Sequence, residues 1–174
     1  DPGTELIKIN GVYRSSIIIS PKNGKLPWDQ KKRREYFAKD YRRGFKRTDH
    51  PELRGVGERC IVGFGSSAGP PMMNVLYNNN YQIVQSPGYV MIMAEMIHDS
   101  RIIRLEGSHL PKLIDPWMGD SIGRWEGDTL VVETRNFNYQ HIHRAALRHY
   151  FAISKDAKVT ELFKRISDTE IMYR

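Results

Sequence analysis

The chain has 174 residues, with 27 Lys and Arg against 20 Asp and Glu, six His and one Cys. Hydrophobic residues make up 40% and charged residues 27%, as in ordinary globular domains. No apolar run reaches the ~20 residues of a membrane-spanning helix, and one Cys without metal-ligand spacing can build neither an internal disulfide nor a zinc finger. These numbers name no reaction.

The length suits a single domain over residues 1–174, burying roughly 70% of the unfolded chain's surface. The excess charge sits in one stretch. Residues 22–59 hold 13 basic and six acidic side chains, and the remainder holds 14 of each. The spacing therefore predicts a basic arm over 22–59 and a neutral β body over 60–174, joined by a strand over 11–19.

Gly11 to Ile19 opens with that β-rich run. In the arm, Asp29 is placed to cap a helix, and Gln30 to Arg43 contains no Gly or Pro. Lys31, Lys32, Arg33, Arg34, Arg42 and Arg43 would form a basic surface for phosphates of nucleic acid or anionic lipid. The plainer alternative is a solvated helix whose Tyr36, Phe37 and Tyr41 dock while its cations keep it soluble. Glu35 and Asp40 interrupt the charge and no nucleic-acid motif accompanies it, which disfavours nucleic acid and leaves peripheral membrane contact through the arm as an expectation. Cys60 reads as a free structural thiol. Gly63, Gly65 and Gly69, before Pro70-Pro71, read as a loop, because they do not join a strand to a helix as a phosphate loop must.

Seven β-rich runs follow, separated by turn residues. They are 81–85, 89–96, 101–106, 122–126, 129–135, 158–165 and 169–173. Pro87-Gly88 closes the first hairpin, and Gly127-Asp128 the fourth pair, with the positive φ expected on Gly127 as a type II′ turn prefers. No βαβ spacing is present, so the pattern predicts an antiparallel meander. The final run ends at Arg174 and the first residue is not Met, from which processing at the front and a further strand at the back are expected.

The blocks from Tyr77 to Val90, Glu95 to Ile103, His109 to Pro111 and Trp117 to Ser121 resemble a bacterial family of exported, largely uncharacterised proteins. The most specific block is Gly123-Arg124-Trp125-Glu126-Gly127-Asp128-Thr129-Leu130-Val131-Val132-Glu133-Thr134, with Asn136-Phe137 after it. The resemblance covers about Cys60 to Phe137. It implies a periplasmic or secreted protein and a mainly β body, the meander curling into a barrel of calycin or lipocalin type with one basic helical arm. It implies no activity.

Two polar sets stand out. Glu95, His98, Asp99 and Arg101 gather around one turn. Regular alternation puts Tyr89, Met91, Met93 and Glu95 on one strand face, where a desolvated Glu95 would serve with His98 as an acid–base pair and Arg101 or Asp120 would orient a substrate. The alternative pairs Glu95 with Arg101 or Arg104 across the hairpin. In the second set, Trp117 and Trp125 would stack a sugar ring or flat apolar ligand, with Asp120 taking a hydroxyl. Tyr81, Met91 and Met93 extend that ligand-binding set. Here the alternative is a Trp125 that plugs the barrel floor and an Asp120 that caps a turn. His141, His143 and His149 offer imidazoles for zinc or iron, but the Arg- and Ala-rich composition of 139–151 suggests a helix that would splay them. No metal and no cofactor is expected.

Three function classes follow from these residues. The first is a non-catalytic binding or accessory protein for a small apolar or glycan ligand or a partner subunit. The second is an acid–base hydrolase, lyase or isomerase built on Glu95 and His98. The third binds nucleic acid or an anionic surface through 31–47.

Overall fold

A computed structural model describes every residue except 1–5, 10, 28, 39–43, 47, 64–68, 74, 76, 142 and 147–148, and for 7, 9, 33, 36, 37, 143–146 and 149–152 it describes the backbone alone. The fold is mainly β, with 33% strand and 9% helix, and its main sheet is a seven-stranded half-barrel. Residues 1–46 and 47–174 form two compact units.

In the first unit, β1 (Ile7–Ile9) and β2 (Val12–Arg14) make a hairpin around Gly11, whose φ of +79° suits a glycine turn. The predicted strand over 11–19 is therefore shortened to three residues, and it belongs to its own two-stranded sheet. Helix α1 (Gln30–Ala38) starts where expected, because the Asp29 carboxylate accepts the backbone N–H of Lys32 at 3.0 Å. Its interior of Gln, Lys, Arg, Glu and Ala consists largely of strong helix formers. The predicted continuation to Arg43 lies outside the described residues.

The second unit carries β3 (Tyr81–Ser86), β4 (Tyr89–Ala94), β5 (Ser100–Arg104), β6 (Asp120–Glu126), β7 (Thr129–Arg135), β8 (His143–Ala146), β9 (His149–Ala152), β10 (Val159–Arg165) and β11 (Ile171–Tyr173). The main sheet runs β11-β10-β7-β6-β5-β4-β3. Positive φ falls on Gly88 after Pro87 and on Gly127 before Asp128, as the turn residues predict. Two expectations are corrected. β5 and β6 pair in parallel, so the meander is broken where residues 105–119 cross back to enter β6 from the same end as β5. His143–Ala146 and His149–Ala152 pair as the antiparallel strands β8 and β9 rather than forming a helix.

Pairing register sorts the side chains into two faces. Val90, Ile92, Ile103, Leu130, Val132 and Phe163 form the buried core on one face. Gly123 lies among them, with room for no side chain: a Cβ there would stand 2.8 Å from Ile103 Cγ2. The same face carries Arg101, buried against Glu161 through two guanidinium nitrogens, the NH2–Oε1 contact being 3.0 Å. The Tyr173 hydroxyl donates to Glu161 Oε1 at 2.9 Å and accepts the Met72 N–H at 2.8 Å. Burial comes first in raising the Tyr173 phenol far above its usual range, and the neighbouring Glu161 charge adds to it. These side chains fill the middle of this face.

Candidate functional site

The opposite face carries Arg104, Asp120, Ile122, Glu133 and Arg135 in register across β5, β6 and β7. The crossover at 105–119 is tied onto it. Asp120 Oδ2 accepts the Leu110 N–H at 2.8 Å and meets His109 Nδ1 at 2.8 Å, while Oδ1 takes Arg104 at 2.7 Å. Burial raises the Asp120 carboxyl, but Leu110, His109 and Arg104 together outweigh it and hold the carboxyl below the usual range. The other nitrogen of His109 lies 3.3 Å from Glu133, which also pairs with Arg135 and Lys158. His109 is thus a bridge between carboxylates. Among the described residues no group of three His, Cys, Asp or Glu side chains is arranged to hold a metal.

Between this crossover and the start of β5 opens a cleft of about 600 Å³. Ile97, Ile102 and Met118 give it apolar wall, and Trp117 closes one side. His98, Ser100, Arg104 and Asp120 supply polar groups. The Trp117 carbonyl meets Nδ1 of the buried His141 at 2.7 Å, which fixes the backbone of that wall. The other wall is an unusual turn. Ile97 and His98 both have φ of +57°, left-handed backbone that a β-branched residue rarely adopts. Asp99 anchors it by accepting the Gly63 N–H at 2.6 Å. Burial raises the Asp99 carboxyl and the Gly63 bond offsets part of that rise.

The structure brings five sequence-predicted residues, His98, Asp99, Arg101, Trp117 and Asp120, to the lining of this one cleft. Three of them are already engaged, Asp99 by Gly63, Arg101 by Glu161 and Asp120 by Arg104, His109 and Leu110. His98 is exposed and its imidazole makes no hydrogen bond or ion pair among the described residues.

The remaining candidates lie elsewhere. Glu95 is exposed and accepts a hydrogen bond from Asn80 at 2.8 Å, so it is neither desolvated by the strand face nor paired with Arg101 or Arg104. The cause is local: β4 ends at Ala94 and the chain turns at Met96–His98, which carries Glu95 out of the alternation. Met91 and Met93 alternate as predicted, half-buried on the face away from the core. Tyr81 sits half-buried on the core face, its phenol raised chiefly by burial, with the Arg101 charge opposing. Trp125 is five residues along β6 from Asp120, ~17 Å away, and 48% exposed, so Trp117 and Trp125 do not share a cleft. Cys60 is exposed.

Lys31, Lys32 and Arg34 are exposed on α1. The side chain of Arg33 and all of Arg42 and Arg43 lie outside the described residues, as do the imidazoles of His143 and His149. Sequence reasoning missed the roles of Arg104, His109 and Ile97. Arg104 and His109 become visible only when the register of β5 on β6 is known, because nothing local marks them as partners of Asp120. No protein-family model, curated protein or solved structure matches this chain.

Proposed function

We propose that this chain is an exported, non-catalytic binding or accessory protein that holds a small ligand with an apolar ring face, such as a sugar, in the cleft beside β5. The observation that carries the reading is the state of the cleft's ionisable groups. Arg101 and Asp120 are fixed in internal pairs, while Trp117 and His98 remain as side chains that a ligand can meet without breaking the fold. An acid–base enzyme needs two groups of opposed role within reach of one reacting atom. Glu95 is committed to Asn80 instead, outside the cleft lining.

The apolar wall beside a few polar groups is the usual make-up of a small-molecule site, and the cleft volume lies in the usual range. The resemblance of the Tyr77–Val90 and Gly123–Thr134 blocks to an exported bacterial family supports the periplasmic or secreted setting. A partner subunit is the other occupant this reading admits, and contact of the basic helix with an anionic membrane surface fits the same setting.

Native mass spectrometry on protein purified gently from its source tests this reading. A co-purifying small molecule that is lost in Trp117→Ala supports it. Turnover in a broad hydrolase and lyase screen that His98→Gln abolishes would replace it with the acid–base enzyme.

A further inference from the structure

The same crossover also lines a second cleft, of about 280 Å³, whose chemistry differs from the first. Three segments wall it. The crossover supplies Lys112 and Asp115, the end of β7 supplies Arg135 and Asn136, and the turn before β10 supplies Lys155, Asp156 and Lys158. Buried Phe137 lies beneath as an apolar floor.

Four cationic and two acidic residues therefore line a space the size of one small organic molecule. Arg135 and Lys158 are steadied by a shared partner, Glu133, at 2.7 and 3.2 Å. Lys112 and Lys155 are exposed and make no ion pair among the described residues. The frame around them is fixed by its own bonds. Asn138 donates to the Asp115 carbonyl at 3.0 Å, Asn136 to the Leu110 carbonyl at 2.8 Å, and the Ser154 hydroxyl and carbonyl close the turn at Asp156 and Ala157. The two lysines thus line one concavity from separate, internally bonded turns.

A simple anion would meet Asp115 and Asp156 as like charges. A neutral sugar would leave the lysines without partners. A carboxylate joined to several hydroxyls satisfies both halves of the lining. The carboxylate takes Lys112 and Lys155, and the hydroxyls donate to the two aspartates. We infer that this second cleft binds a polyhydroxylated carboxylate, a sugar acid of the uronate type, at a position independent of the Trp117 cleft.

The test is calorimetric titration of the full chain with D-galacturonate, D-galactose and inorganic phosphate in low-salt buffer. Lys112 and Lys155 are exposed, so Lys112→Ala/Lys155→Ala keeps the fold, and its circular dichroism spectrum provides the control. Saturable galacturonate binding is expected, at least tenfold weaker in the double variant and weaker in 0.5 M salt, and in Trp117→Ala galactose and phosphate are both at least tenfold poorer ligands than galacturonate. Trp117→Ala should leave galacturonate affinity unchanged, which separates this site from the cleft beside β5. The inference is overturned if galacturonate does not saturate the protein, if galactose or phosphate binds Trp117→Ala as well as galacturonate does, if the lysine variant keeps full affinity, or if Trp117→Ala removes galacturonate binding.

Discussion

Arg101 and Glu161 stand three strands apart in the sheet, on β5 and β10, yet form a two-pronged ion pair with both side chains 1% exposed. In a flat sheet three strand spacings come to about 14 Å. Two side chains close that gap with ease only when the sheet bends around them, and of the two strands between, β6 carries Gly123 on the same face. The pair thus sits across the inside of the curl, where a lipocalin-type barrel would hold its ligand.

Removing one partner of this pair leaves the other as an uncompensated buried charge. Glu161→Gln is expected to cost about 3–5 kcal/mol, and it also weakens the Tyr173 hydroxyl bond. The double change Arg101→Met/Glu161→Leu should cost less than either single change, because no charge is then stranded. Urea unfolding of the three variants checks this. Single and double variants of equal stability would mean that the pair is solvated and does not organise the curl.

Asp120 gives the acid limb of stability. Its folded carboxyl lies below the ordinary 3.8, so its contribution is fully present above that value and is lost as pH falls through the depressed folded one. Wild-type protein should therefore lose stability as pH falls below about 4 more steeply than Asp120→Asn. The variant is weaker at neutral pH because Arg104 and His109 lose their charged partner. Unfolding midpoints measured from pH 2.5 to 7 provide the comparison, and parallel curves would remove Asp120 from the acid transition.

Asp99 carries the opposite sign. Its carboxyl is raised by burial, so between 3.8 and its higher folded value the native chain holds a proton that the unfolded chain has released. Stability contributed here falls as pH rises through that window and stays lower above it. Asp99→Asn keeps an oxygen to accept the Gly63 N–H and removes the charge. It should match wild type below about pH 3.5 and have the higher unfolding midpoint at pH 7. A lower midpoint at pH 7 would show that the ionised carboxylate is what anchors the Ile97–His98 turn.

How much of this was legible beforehand differs between strand and site. The alternation of Tyr89 to Ala94, Pro87-Gly88 and Gly127-Asp128 placed the seven main strands to within two residues at either end, since side-chain period and turn chemistry are local. The parallel join of β5 to β6 was not legible. A Gly or Pro marks where a strand stops but not the end from which the next one enters, and residues 105–119 are long enough for either. Residues 143–152 misled because Ala and Arg favour helix in isolation, while pairing of His143 with Ala152 and Ala146 with His149 decides otherwise. His98, Trp117 and Asp120 could be picked out by residue type. The partners that neutralise Asp120 and Arg101 could not, because Glu161 is 60 residues from Arg101 in sequence and only the sheet order brings it near.

Two glycines separate stability from the cleft. Gly119 has φ of +77°, and a Cβ there would lie 2.7 Å from Thr134 Cγ2 and 2.9 Å from the Arg135 carbonyl oxygen. It stands between Met118 and Asp120, so the clash and the strained backbone would fall on the wall of the cleft. Gly123→Ala meets Ile103, Leu105 and Leu130 instead, inside the core. Each change should cost about 1–3 kcal/mol, through left-handed strain and contact at Gly119 and through overpacking at Gly123. Only Gly119→Ala should shift the fluorescence of Trp117 and weaken whatever molecule co-purifies with the protein. Measured as a pair in a Trp28→Phe/Trp125→Phe background, the two variants distinguish a wall held by Gly119 from a general loss of stability. Equal fluorescence changes in both would show that the wall follows the core rather than its own turn.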